Sequence, residues 1–121
     1  MTENPNVAIA VRYFEALNRN DLHAAPLAPD VVLESPITPK LQGLASVWEY
    51  LEAVASIAKS IRTVDFIAEG NKVAVEFELE TAAGVIPGFE CLEISEGLIR
   101  KVRPYYLDSR PFLDGPAPSG Q

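Results

Sequence analysis

From Thr63 to Leu107 the chain is a series of runs in which apolar and polar residues alternate, and this period of two narrows the fold more than any other feature. Successive side chains of a strand point to opposite faces. The clearest run is Lys72 to Thr81, with Val73, Val75, Phe77 and Leu79 on one face and Ala74, Glu76, Glu78 and Glu80 on the other. Thr63 to Ala68 precedes it across a turn at Glu69-Gly70-Asn71. Val85 to Ile94 and Leu98 to Leu107 follow it across turns at Ala82-Ala83-Gly84 and Ser95-Glu96-Gly97. Strands joined this tightly form an antiparallel meander, and three long ones predict a curved sheet with one apolar face that must be covered.

Two amphipathic segments supply the cover. Asn4-Pro5 is a helix start, with Asn as N-cap and Pro at the first helical position, and Val7, Ala10, Val11, Phe14 and Leu17 then recur at helical spacing to about Asn18-Arg19-Asn20. Tyr13 sits at the edge of that stripe. A short helical piece from Asp21 to about Ala25 is cut by Pro26 and Pro29, and Val31-Val32-Leu33 reads as a short strand ended by Pro36 and Pro39. After Gly43, the second long helix is expected over Ala45 to Lys59, with Val47, Leu51, Val54 and Ala58 as its core stripe. Tyr50 and Ile57 flank one side of that stripe and Trp48 the other.

The chain has 121 residues, enough for one domain, expected over 1–113 and followed by a flexible tail over 114–121 rich in Pro, Gly and Ser. Seventeen acidic against ten basic residues give a net charge of −7, which disfavours nucleic acid and anionic lipid. The absence of any long uninterrupted apolar run argues against a membrane span and for a soluble, cytoplasmic protein. One cysteine, Cys91, makes no internal disulfide, and with the single histidine His23 it offers no metal-ligand set. No glycine-rich phosphate loop is present, so no cofactor and no metal are expected.

Helix, short helix, strand, long helix and a four-stranded meander make an α+β cone, a curved and mostly antiparallel sheet wrapped around a long helix. In that order, "VRYFEALNRNDLHAA" running into "DVVLESPITPKLQG" resembles the nuclear transport factor 2-like superfamily, including its SnoaL-like polyketide cyclase and ketosteroid isomerase branches. The similarity spans Asn6 to about Phe112. It implies a cone-shaped pocket for a small hydrophobic molecule and a homodimer paired through the sheets. Laid on this sequence, the pocket-facing residues are Tyr13, Phe14, Leu33, Ser35, Trp48 or Tyr50, Leu51, Val75, Phe77, Leu79, Glu90, Leu92, Val102, Pro104 and Tyr106.

The isomerases of that superfamily use an Asp base and an oxyanion hole of Tyr and a protonated Asp. The resemblance puts the tyrosine at Tyr13, the second acid at or near Glu90, and the base at Ser35, whose hydroxyl cannot take up a proton at neutral pH as a carboxylate does. In the strand, Glu90 shares a face with Gly88, Leu92 and Ile94, which points it inward, whereas a bulge at Pro87-Gly88 would swap the faces and leave it in water. An inward Glu90 is a carboxyl with a raised pKa beside Tyr13, able to hold an oxygen that gains negative charge. Two functions follow. One is a cofactor-independent enzyme of isomerase, cyclase or epoxide hydrolase type acting on a small apolar, oxygen-bearing molecule through Tyr13 and Glu90, and the other is a non-catalytic binding or accessory domain with the same pocket. The large outward side chains Phe89 and Tyr105 mark the expected dimer surface.

Overall fold

The computed structural model describes residues 4–108 and Arg110, so the expected tail lies outside the described residues. Helix α1 (Pro5–Asn18) begins as expected, with the Asn4 side chain accepting a hydrogen bond from the Asn6 amide and Pro5 in the first turn. Its buried face is Ala10, Tyr13, Phe14, Ala16 and Leu17, so the stripe is rotated from Val7 and Val11 towards Tyr13. Tyr13 is therefore a core residue with no exposed surface rather than one at the edge of the face.

A single 3-10 turn over Leu22–Ala24 leads into strand β1 (Leu27–Leu33), which is longer than Val31–Leu33 because it passes through Pro29. The β1 register against its neighbour shifts between Leu27 and Val32, and in that irregular stretch the N–H that proline lacks is not required. Strand β2 (Leu41–Gln42) pairs antiparallel with the end of β1. Helix α2 (Leu44–Ile57) buries Val47, Leu51 and Val54. It stops two residues before Lys59 because Ala58 is already extended, and the chain passes without a loop into β3 (Ala58–Glu69). The expected strand start at Thr63 is therefore five residues late.

Strand β4 (Lys72–Thr81) has the predicted boundaries and the predicted parity, with Val73, Val75, Phe77 and Leu79 all buried. Strands β5 (Gly84–Ser95) and β6 (Leu98–Tyr106) complete one sheet in the order β2-β1-β6-β5-β4-β3. All neighbours are antiparallel except β1 and β6, which run parallel. The sheet curves without closing, because β2 and β3 remain its two edges. On its concave side α1 lies over β3, β4 and β5, while α2 lies over β1, β2 and the start of β3.

Pro87-Gly88 introduces no bulge. Glu78 pairs with Pro87 and Phe77 with Gly88 in an unbroken β4–β5 ladder, so the faces do not swap. Gly88 is needed there: a Cβ at this position would stand 2.6 Å from the Tyr105 carbonyl oxygen and 2.9 Å from two carbons of the Phe77 ring.

Outside, the glutamate row of β4 does not meet the basic residues of β6, because β5 lies between them. Arg62 of β3 instead pairs with Glu78 at 2.7 Å, and Lys101 with Glu34 at 3.4 Å. These pairs, one exposed on its Arg62 side and the other half-buried, are of small energetic weight. Among the described residues no helix is long and apolar enough to cross a membrane.

Candidate active site

Ladder parity carries Glu90 into the cone. It sits between Val75 on β4 and Pro104 on β6, flanked by two side chains that offer its carboxyl nothing polar, and it is only 5% exposed. Opposite it, Tyr13 projects from α1. Neither the Tyr13 hydroxyl nor Glu90 Oε1 has a hydrogen-bond partner among the described residues. The two side chains are nonetheless near enough to influence each other's ionisation.

A buried carboxyl stripped of water favours its neutral form. Burial accordingly pushes Glu90 up from 4.5 to about 7, against a smaller lowering by the Tyr13 hydroxyl. Tyr13 is raised well above its ordinary value, first by burial and then by the charge of Glu90.

A second polar pair completes the group. The hydroxyls of Tyr50 from α2 and Tyr106 from β6 lie 3.2 Å apart. Burial raises both, and both feel the charge of Glu90. Tyr106 also stands edge-on to Phe77, which in turn packs on Phe14, so these rings help to position Tyr106.

These groups share one small cavity, walled by Tyr13, Phe14 and Leu17 of α1, Tyr50, Leu51 and Val54 of α2, Ile61 of β3, Phe77 and Leu79 of β4, Glu90 of β5, and Val102, Pro104 and Tyr106 of β6. Its free space is ≈ 10 Å³ for the centre of a water-sized sphere, which is room for one water molecule. Ten of the fifteen residues expected at the site stand in this wall.

The other five do not. Leu33, Val75 and Leu92 are buried in the core and do not line the cavity. Ser35 follows the end of β1, where its hydroxyl accepts a hydrogen bond from the Ile37 amide at 3.2 Å and eases the ionisation of Tyr50. Trp48 turns away towards His23, their rings 4.3 Å apart, so of the pair Trp48 and Tyr50 it is Tyr50 that reaches the cavity. The sequence reading missed Leu17, Val54 and Ile61 as wall residues. Leu17 and Val54 were visible on their helical stripes, but Ile61 fell before the expected start of its strand.

The arrangement provides one carboxyl able to hold or release a proton near neutrality and three hydroxyls in an apolar enclosure, one of whose protons is taken up by the Tyr50–Tyr106 bond. Such a set can stabilise a developing oxyanion and move a proton. Among the described residues no cluster of metal-ligating side chains exists.

Comparison with known proteins agrees with this architecture. The SnoaL-like domain profile matches residues 10–102. No curated protein sequence matches significantly. A steroid delta-isomerase from Pseudomonas aeruginosa superimposes with a TM-score of 0.74 at 21% identity, over 88% of this chain and 82% of that one. A nuclear transport factor 2-like protein of unknown function from Cytophaga hutchinsonii gives 0.72 at 20% identity, over 92% and 96%. A de novo designed protein with a curved β-sheet gives 0.78 at 18% identity, over 94% and 95%. At these identities the likeness is one of fold, and a shared fold does not by itself carry an activity. The profile match covers most of the chain, and the protein belongs to the family of SnoaL-like domains.

Proposed function

We propose that the protein is a cofactor-independent acid–base enzyme of isomerase or cyclase type acting on a small apolar molecule that carries a carbonyl oxygen. The observation that supports this most is Glu90, a buried carboxyl with an unpartnered oxygen whose pKa is pushed to about 7. A group titrating there is partly ionised at neutral pH, so it can take a proton as well as give one. It thereby supplies the base that Ser35 cannot. Tyr13 and the Tyr50–Tyr106 pair then act as donors to the substrate oxygen as it gains negative charge. Opening of an epoxide uses the same groups: a water attacks the ring carbon as the C–O bond breaks, neutral Glu90 gives its proton to the departing oxygen, and the resulting carboxylate takes the proton that the water loses. The cytoplasm is the compartment that suits a protein whose one thiol is free.

The test is proton exchange at the carbon next to a carbonyl. A β,γ-unsaturated cyclic ketone incubated with the protein in heavy water, followed by NMR, should show conjugation or deuterium uptake that rises with pH through about 7. Glu90→Gln should abolish it. A second reading, a non-catalytic binding domain, draws on the serine at the position of the isomerase base. Binding of the ketone with no exchange in the wild-type protein would establish that reading instead.

The partner we propose is a second copy of the chain, paired through the outer sheet face. Phe89 and Tyr105 are cross-strand neighbours there, each 48% exposed. Two large adjacent apolar side chains on a sheet face are the mark of an interface.

A further inference from the structure

A second hollow of ≈ 170 Å³ lies where the C-terminal ends of α1 and α2 meet the start of β3. It shares Leu17, Leu51, Val54 and Ile61 with the inner cavity, so these four side chains are a common partition. Beyond the partition its character changes, with Asn18, Asn20, Lys59 and Ser60 in the wall. Among the described residues Lys59 is the sole charge in that wall, and no carboxylate lines it.

The inner cavity holds about one water, so a ligand whose oxygen meets Glu90 must keep most of its body elsewhere. The hollow across the partition shares four wall residues with it. By contrast, the open depression beside Tyr50 shares only that residue with the cavity, and its own wall carries Glu49. Asn18 keeps the outer hollow in shape, because its side-chain amide donates to the Ile61 carbonyl and accepts from the Ile61 amide, both at 2.8 Å. These bonds also occupy the edge of β3, which has no strand beyond it among the described residues.

We propose that the site has two compartments, and that the outer one binds the anionic end of an elongated apolar ligand whose carbonyl passes between Leu17, Val54 and Ile61 to reach Tyr13 and Glu90. This rests on the acid–base reading above and adds the substrate class: an apolar carbonyl compound with a carboxylate at its far end. In a protein of net charge −7, a lysine beside a hollow free of carboxylates favours such an anion where the overall field opposes it.

The experiment compares 6-acetyl-2-naphthoic acid with 2-acetylnaphthalene, which lacks the carboxylate, by calorimetric titration. The acid should bind the wild type about tenfold more tightly than the ketone. Lys59→Met should remove that preference. Ala55→Trp, which fills the outer hollow from the helix surface, should weaken the acid at least as much. Equal affinities for the two compounds in the wild type, or a preference that survives both substitutions, would overturn the two-compartment site. Loss of ketone exchange in Glu90→Gln, measured separately, would then still support the acid–base reading. If neither compound binds the folded wild type, the proposal fails. If both bind as expected but exchange is absent, the two-compartment site stands and the acid–base reading fails.

Discussion

Gly88 lies beneath Phe77 so closely that the smallest side chain would stand 2.9 Å from the aromatic ring. This contact lets β5 run straight through Pro87-Gly88, and the unbroken strand is what delivers Glu90 to the cone two residues later. Gly88→Ala should therefore cost about 1–3 kcal/mol, as overpacking does. The Phe77 ring or the β5 backbone must shift, so the pH dependence of any activity should change along with the melting temperature. An unchanged melting temperature would show that the ring yields freely.

The pH dependence of stability should report Glu90 directly. Its folded pKa of about 7 exceeds the ordinary 4.5, so the unfolded chain loses this proton first as pH rises. The contribution to stability is full below about 4.5, declines as pH rises towards 7, and is gone above it. The size is roughly 3 kcal/mol at most, since each unit of displacement is about 1.4 kcal/mol. Glu90→Gln lacks this slope, and relative to the wild type it should gain stability between pH 4.5 and 7. Chemical denaturation of both proteins at several pH values measures the difference, and parallel curves would place Glu90 in contact with water.

Tyr13→Phe separates function from folding. The hydroxyl is buried without a partner, so its removal relieves a desolvated polar group instead of breaking a bond. Stability should stay level or rise by about 1 kcal/mol. Ketone exchange or ligand affinity should nevertheless fall by roughly 10- to 100-fold, the scale of a lost oxyanion donor. A fall in stability with activity intact would make Tyr13 a structural residue.

Asn18→Ala removes two 2.8 Å hydrogen bonds to the Ile61 backbone. About 1–2 kcal/mol of stability should be lost, since each such bond is worth about 1 kcal/mol. Amide exchange should speed up at Ile61 before the rest of β3. Uniform loss of protection across the sheet would mean that the bond serves global stability alone.

The outer face supplies the last expectation. Phe89→Glu should convert a dimer to a monomer by light scattering at tens of micromolar, an order-of-magnitude concentration for testing self-association. A wild-type monomer under the same conditions would rule out pairing through Phe89 and Tyr105.

The parity of β4, β5 and β6 was legible in the sequence because a period of two is a local property, set by each residue's own neighbours. It placed Phe77, Leu79, Glu90, Val102 and Pro104 on the inner face with no knowledge of strand order. The cap at Asn4 was equally local. Strand boundaries were less legible where local signals compete with pairing. Pro29 reads as a break, yet the β1–β6 register shift absorbs it, and helix-compatible Ala58 becomes extended because β4 offers it a partner in Thr81. What only the tertiary structure decided was which inward residues meet. Tyr50 and Trp48 are two positions apart on α2 and face different ways, and nothing in the helix itself chooses between them. The rotation of α2 against the sheet chooses, setting Trp48 on His23 and Tyr50 on Tyr106, a residue 56 positions along the chain. Helical periodicity determines which side chains share a face, but the direction of that face is set by the surfaces packed against it, and those come from distant sequence.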